Sequence, residues 1–181
     1  MALFVLALGA GLPTGCVSVD GVPERPVATP PAGAVVASPF SPAGIRVLPL
    51  THFERTDEHG TRVLLFFELI DQWGDTVKGA GSLEVRVSPL DGSAGGVAAG
   101  GASGPSVWEI DLADLARNAS LYDPSTRAYR LALRELPAWL RSVAQGGGPA
   151  SSAAVEVYFR TVGADGRDTV LRDRFELPGP S

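Results

Sequence analysis

Apolar and polar residues alternate with a period of two along most of the chain from residue 45 onward. The strongest run is residues 61–70, where alternate positions place large apolar residues on both faces of a predicted strand: Val63, Leu65, Phe67 and Leu69 on one, Leu64, Phe66 and Ile70 on the other. We therefore expect this strand to be covered on both sides. A turn at residues 71–75 leads to a second strand, in which apolar Leu83, Val85 and Val87 alternate with Glu84, Arg86 and Ser88. This partner should be half exposed.

The same alternation recurs at regular intervals and predicts about seven strands, near residues 45, 63, 82, 107, 128, 155 and 169. Helical signals are short. Asp111 is placed to cap a helix of at most two turns, and residues 137–143 predict one further turn that lays Trp139 and Leu140 over an open end of the core. The polar connection at residues 51–60 predicts a solvated hairpin loop. The predicted fold is all-β, an antiparallel β-sandwich of the immunoglobulin or fibronectin type III kind.

The last two strands predict their own register. A three-residue loop with Gly166 in the left-handed conformation pairs Gly163 with Arg167. Counting from that pair places four outer-face residues opposite one another, Glu156 with Arg174 and Tyr158 with Arg172. Asp173 then falls on the apolar face, opposite Val157. We expect Asp173 to lie near water at the sheet margin or to have a buried partner such as an arginine, in which case it becomes a candidate functional residue.

The N-terminus carries a localisation signal. An apolar run at residues 2–12 is too short to span a bilayer and ends close to the single cysteine, Cys16. Residues 12–16, Leu-Pro-Thr-Gly-Cys, resemble the lipobox of bacterial lipoproteins. The resemblance implies that residues 1–15 are a signal peptide, that Cys16 is lipidated, and that the protein is anchored to a membrane of the cell envelope, periplasmic or surface-exposed. The alternatives are an incidental thiol after an ordinary secretory signal, or a start site further upstream.

Composition divides the rest of the chain. Residues 16–44 comprise the lipidated cysteine and a proline-rich tether, which reaches up to about 85 Å if it is extended. Residues 45–181 form the sandwich domain, and the glycine-rich residues 91–106 are a flexible insertion within it. Asn118, Ala119 and Ser120 match an N-glycosylation sequon, but three residues often match by chance and the lipobox points to a bacterium.

The net charge and the available polar side chains reduce the classes of function that this sequence suggests. The chain has 15 Lys and Arg against 20 Asp and Glu, a formal net charge of -5, and no basic stripe, so we expect no nucleic acid partner. Asp71 and Asp75 are candidate calcium ligands, although no calcium-loop motif surrounds them and turns favour Asp. His52 and His59 lie in one polar segment, but their spacing matches no common metal signature. We expect no cofactor and no enzymatic activity, because catalysis needs a base placed beside a nucleophile and the 2 histidines both lie in one segment.

Two functional hypotheses follow from these observations. The first is a non-enzymatic, membrane-anchored envelope lipoprotein whose sandwich is an interaction or spacer module, with an envelope protein or polysaccharide as partner. The second is a carbohydrate-binding or calcium-dependent accessory domain that would expose aromatic side chains among Trp73, Tyr122 and Trp139. Exposure of two of these on one face would favour the second hypothesis.

Overall fold

Two antiparallel β-sheets packed against each other make up the described part of the chain. A computed structural model describes residues 38, 40–57, 60–90, 104–146 and 152–180, which fall within one compact unit, Val35–Ser181. The signal segment, Cys16, His59, most of the tether and most of the insertion at residues 91–106 lie outside the described residues.

The strands confirm the predicted all-β sandwich, and every predicted strand is present. The elements in chain order are β1 (Gly44–Val47), β2 (His52–Thr56), β3 (Gly60–Ile70), β4 (Thr76–Val77), β5 (Ser82–Pro89), β6 (Ser106–Asp111), α1 (Leu115–Leu121), β7 (Tyr122–Asp123), β8 (Ala128–Leu133), α2 (Ala138–Val143), β9 (Ser152–Val162) and β10 (Asp168–Pro178). Sheet A has the order β1-β3-β8-β7, with β2 and β4 also paired to β3, and sheet B has the order β10-β9-β5-β6.

The prediction of a solvated loop at residues 51–60 is wrong, because half of this segment, His52–Thr56, is strand β2. It pairs with β3 from His52 opposite Leu64 to Thr56 opposite Gly60. Two contacts explain the pairing: Phe53 packs against the core, and the Glu54 carboxylate pairs with the Arg62 guanidinium across the strands. The apolar and polar alternation of a strand is hard to recognise in this short segment, because most of its residues are polar or charged.

The core lies between the inner faces of the two sheets. Its central residues are fully buried side chains from β3, β5, β8 and β9, among them Val63, Leu65, Phe67, Leu69, Leu83, Val85, Val87, Tyr129, Val157 and Phe159. The Phe67 and Tyr129 rings stack with their centroids 4.9 Å apart. On the outer face of β3, Leu64 is buried as expected, whereas Phe66 and Ile70 are only half-buried.

Helix α1 begins later than predicted. The Asp114 carboxylate is its N-cap and accepts hydrogen bonds from the backbone N–H groups of Ala116 and Arg117, at 2.9 and 3.2 Å. Asp111 instead accepts from Ala113 N–H in the preceding turn. Helix α2 confirms the second helical prediction, since Leu140 is fully buried and Trp139 packs against the core.

The register predicted for the last hairpin is confirmed. Gly163 N–H donates to the Arg167 carbonyl at 2.8 Å, and Gly166 has φ of 78°. Glu156 lies opposite Arg174 and Tyr158 lies opposite Arg172. The left-handed position needs glycine because a Cβ is strained there, and this local requirement set the register of the whole hairpin.

Candidate functional site

Two large aromatic side chains are exposed next to each other where the chain enters the sandwich. Phe40 is 65 % exposed and Trp73 is 60 % exposed, and their ring centroids are 5.7 Å apart at an interplanar angle of 48°. Phe40 shortly precedes β1 and Trp73 follows β3, and Gly44 and Ile70, at the ends of these strands, are paired. Exposed aromatic residues in contact are typical of surfaces that bind a partner.

The turn that carries Trp73 is held by Asp71. Asp71 is only 5 % exposed. Its Oδ1 accepts hydrogen bonds from Trp73 N–H at 2.9 Å and from Asp75 N–H at 3.0 Å. Backbone hydrogen bonds from Gly74 N–H to the Asp71 carbonyl and from Asp71 N–H to the Asp75 carbonyl close the turn. Gly74 supplies the left-handed φ of 88° that this turn requires. Trp73 is therefore displayed on a fixed backbone.

These hydrogen bonds involve both candidate calcium ligands, Asp71 and Asp75. One oxygen of Asp71 is occupied by the turn, and Asp75 is exposed. Within the described ranges, no three His, Cys, Asp or Glu side chains are grouped so as to hold a metal ion. The observed role of Asp71 is to organise the turn.

Of the three aromatic residues named as a carbohydrate surface, Trp73 is the one that is exposed. Tyr122 and Trp139 are partly buried against the core. The Tyr122 ring meets Tyr129 edge-on at 5.3 Å, and the Lys78 ammonium lies 4.3 Å from its centroid. The second aromatic residue of the surface is Phe40, which sequence analysis placed in the tether because its neighbours are proline and serine.

His52 packs on the outer face of sheet A. Its Nδ1 lies 2.6 Å from the Leu50 carbonyl oxygen, and its ring stacks on Phe66 with centroids 6.3 Å apart. His59, the other histidine of the segment, lies outside the described residues. His52 therefore has a packing role here.

A shallow groove of about 320 Å³ crosses the outer face of sheet A. Its lining mixes charge and apolar surface: Arg62, Leu64, Ser120, Leu121, Tyr122, Asp123, Arg130 and Ala132. The Arg62 side chain is committed to Glu54, and the hydrogen bond from Arg62 holds the pKa of Glu54 below its usual range. The other charged lining residues are one arginine, Arg130, and one carboxylate, Asp123.

Several charged side chains on the outer face of sheet B pair with one another. The Glu84 carboxylate, buried between β6 and β9, is held by Arg86 and Arg160, and the hydrogen bond from Arg86 lowers the pKa of Glu84. Arg86 also lies over the Tyr158 ring, 4.9 Å from its centroid. The predicted Glu156–Arg174 pair is present at 3.8 Å. The Glu84–Arg160 and Glu156–Arg174 pairs join neighbouring strands and support cross-strand pairing rather than an anion site.

Asp173 has a buried partner, but the partner is a backbone group rather than an arginine. Its Oδ2 accepts from the Val47 N–H of β1 at 2.7 Å, although Val47 is 126 residues away in the chain. Strands β1 and β10 contact each other at the margins of the two sheets. Asp173 therefore satisfies an edge N–H and closes one margin of the sandwich, which is a structural role.

Sequence reasoning missed the most extensive buried polar network, which centres on Asn118. The Asn118 amide donates to the carbonyls of Gly79 and Leu112, each at 2.7 Å, and its Oδ1 accepts from the Tyr129 hydroxyl at 2.9 Å. Asn118 is only 5 % exposed, so the sequon it begins is inaccessible in the folded protein. Its position on a seven-residue helix next to polar Ser120 carried no periodic signal of burial.

Comparison with known proteins gave no match, whether to a family model, a curated protein or a solved structure. In the part of the chain that the structure describes, neither helix is long and apolar enough to cross a membrane.

Proposed function

We propose that this chain is a non-enzymatic envelope lipoprotein, in which lipidated Cys16 and the following tether present the β-sandwich as an interaction or spacer module. The anchor is inferred from the lipobox-like residues 12–16. A diacyl anchor buries many CH₂ groups at about 0.8 kcal/mol each, which gives lasting attachment when more than one chain is present. The assignment of no catalytic activity stays a prediction from the sequence.

The strand order supports an immunoglobulin-like sandwich as the module. In that fold one sheet has the order A-B-E-D, and the other contains G, F and C, extended by C′ in larger members. Assigning β1, β3, β8 and β7 to the first sheet and β10, β9, β5 and β6 to the second reproduces both orders. Such sandwiches commonly display binding residues on the loops between their strands.

The observation that carries the interaction role is the Phe40–Trp73 pair. Two large aromatic side chains more than half exposed leave apolar surface in water, and the turn that presents Trp73 is pre-organised by the buried Asp71. A rigid exposed aromatic residue loses little conformational entropy on binding, which is why such residues dominate many interfaces.

The anchor is tested by expressing the full chain and a matched Cys16→Ala variant in a bacterium, followed by detergent phase partition of the mature proteins. We expect the wild type in the detergent phase and the variant in the aqueous phase. Mass analysis of the N-terminal peptide should show the added acyl mass on Cys16 alone. Equal partition of the two proteins would contradict the proposal.

A second candidate function is carbohydrate binding, for which the exposed indole of Trp73 by itself offers a face on which a sugar ring can stack. Titrating the protein with envelope polysaccharide while recording indole fluorescence tests it. A saturable change that is lost in Trp73→Ala would support this function, and an unchanged spectrum would count against it.

A further inference from the structure

We propose that the Phe40–Trp73 pair rests in the headgroup region of the bilayer that holds the lipidated Cys16, so that the sandwich stands with its tether-entry end towards the lipid. This inference rests on the lipid anchor proposed above and names the partner of the aromatic pair. The occupant is a lipid surface and not a second protein.

The pair lies where the chain enters the sandwich. The chain enters β1 at Gly44, opposite Ile70, and the aromatic residues lie just before the one and just after the other. Both therefore lie at the end of the sandwich where the chain enters its first strand. Exposed Leu50, by contrast, lies between β1 and β2, away from this end.

The chain between Cys16 and the pair is short enough to keep the pair near the bilayer. Residues 17–37 join Cys16 to the described domain, and a chain of this length spans roughly 65 Å at the polyproline II rise of about 3.1 Å per residue. Tethering at such distances gives effective concentrations on the order of millimolar, so even a weak contact with the bilayer would be populated.

The chemistry and shape of the aromatic pair suit a lipid surface. Indole and phenyl rings partition favourably to the boundary between headgroups and acyl chains. The two rings are inclined at 48°, so they form a wedge and not the flat platform on which a sugar ring stacks. Because Asp71 and Gly74 fix the turn, little ordering is needed when Trp73 enters the interface.

The experiment uses the full lipidated protein in phosphatidylcholine vesicles, with or without bromine on the acyl chains, because bromine quenches nearby indoles. Flotation first shows that the protein is attached. The chain has 3 tryptophans, and Trp108 and Trp139 are packed against the core, so quenching should come from Trp73. We expect quenching to fall at least about threefold in Trp73→Phe and about twofold in Phe40→Ser. The matched control Leu50→Ser, at a residue 51 % exposed, should leave quenching unchanged.

The outcomes separate the two proposals. If the wild type fails to float, the anchor is wrong and the orientation inferred here falls with it. If the wild type floats but is quenched no more than Trp73→Phe, the anchor stands and the bilayer contact is refuted. The same refutation follows if quenching is absent while envelope polysaccharide or a purified envelope protein shifts the Trp73 emission, since the pair then serves that partner.

Discussion

Replacing Asn118 with alanine removes the centre of a buried network that joins four parts of the fold. The Asn118 side chain links helix α1 to the carbonyl of Gly79, where the chain crosses from β4 to β5, and to the carbonyl of Leu112 after β6. It also accepts from the Tyr129 hydroxyl of β8. Alanine provides none of these bonds, and the partners stay buried.

The magnitude follows from counting the groups left without a partner. The carbonyls of Gly79 and Leu112 each lose the Asn118 donor, and a buried unsatisfied group costs about 1 to 3 kcal/mol. The Tyr129 hydroxyl loses less, because it still accepts from Gly79 N–H at 3.2 Å. We expect a loss of roughly 3 to 5 kcal/mol in the free energy of unfolding, a large share of the about 5 to 15 kcal/mol typical of a domain.

Urea unfolding followed by far-UV circular dichroism measures this loss as a lower midpoint with an unchanged m-value. Ser120→Ala is the matched control on the same helix. Ser120 is exposed and its hydroxyl only donates to the Arg117 carbonyl one turn earlier. We expect it to change stability by less than about 0.5 kcal/mol.

A double-mutant cycle with Tyr129→Phe tests whether the network is the cause. Because Asn118 and Tyr129 share a hydrogen bond, the double variant should lose less than the sum of the single variants, with a coupling of about 0.5 to 3 kcal/mol. A cost for Asn118→Ala below about 1 kcal/mol would refute the reasoning. So would additive effects of the two substitutions.

Asp173→Ala should lower the free energy of unfolding by about 1.5 to 3 kcal/mol, because Val47 N–H loses a charged acceptor. Asp173→Asn keeps an acceptor oxygen and should retain most of that stability, so equal losses for the two variants in urea unfolding would contradict this. Burial raises the pKa of Tyr129, so above about pH 10 the unfolded chain releases a proton that the native protein keeps, and the free energy of unfolding should fall with rising pH. Urea midpoints from pH 9 to 11 measure this fall, which should be smaller in Tyr129→Phe. Limited proteolysis read by mass spectrometry should cut first within residues 17–44 and 91–106, and a first cut inside a strand of the sandwich would oppose the domain boundaries.

Local patterns in the sequence were sufficient for the strands and for one register. Alternation with a period of two located the core faces of β5 and β8, because a half-buried strand must place its apolar residues on one side. In the last hairpin a single left-handed glycine, Gly166, set every pair that followed, since the turn and both strands are neighbours in the chain.

Trp73 could be named from its sequence as an aromatic residue in a turn, but its significance could not. Its partner Phe40 lies among proline and serine, a composition that predicts a tether, and only the pairing of Gly44 with Ile70 brings the two together. A period of two indicates which face of a strand a residue occupies. It carries no information about which distant segment of the chain lies beside that residue.

The remaining features were decided by contacts between segments far apart in the chain. Asp173 breaks the alternation of β10 because it serves an unpaired N–H of β1, and Glu84 is buried because Arg160 of the adjacent strand reaches it. Asn118 is buried because α1 closes over the crossing at Gly79. Each is a polar group whose burial is stabilised by a partner that only the folded chain supplies, and sequence periodicity, which records apolar faces, carries no information about such partners.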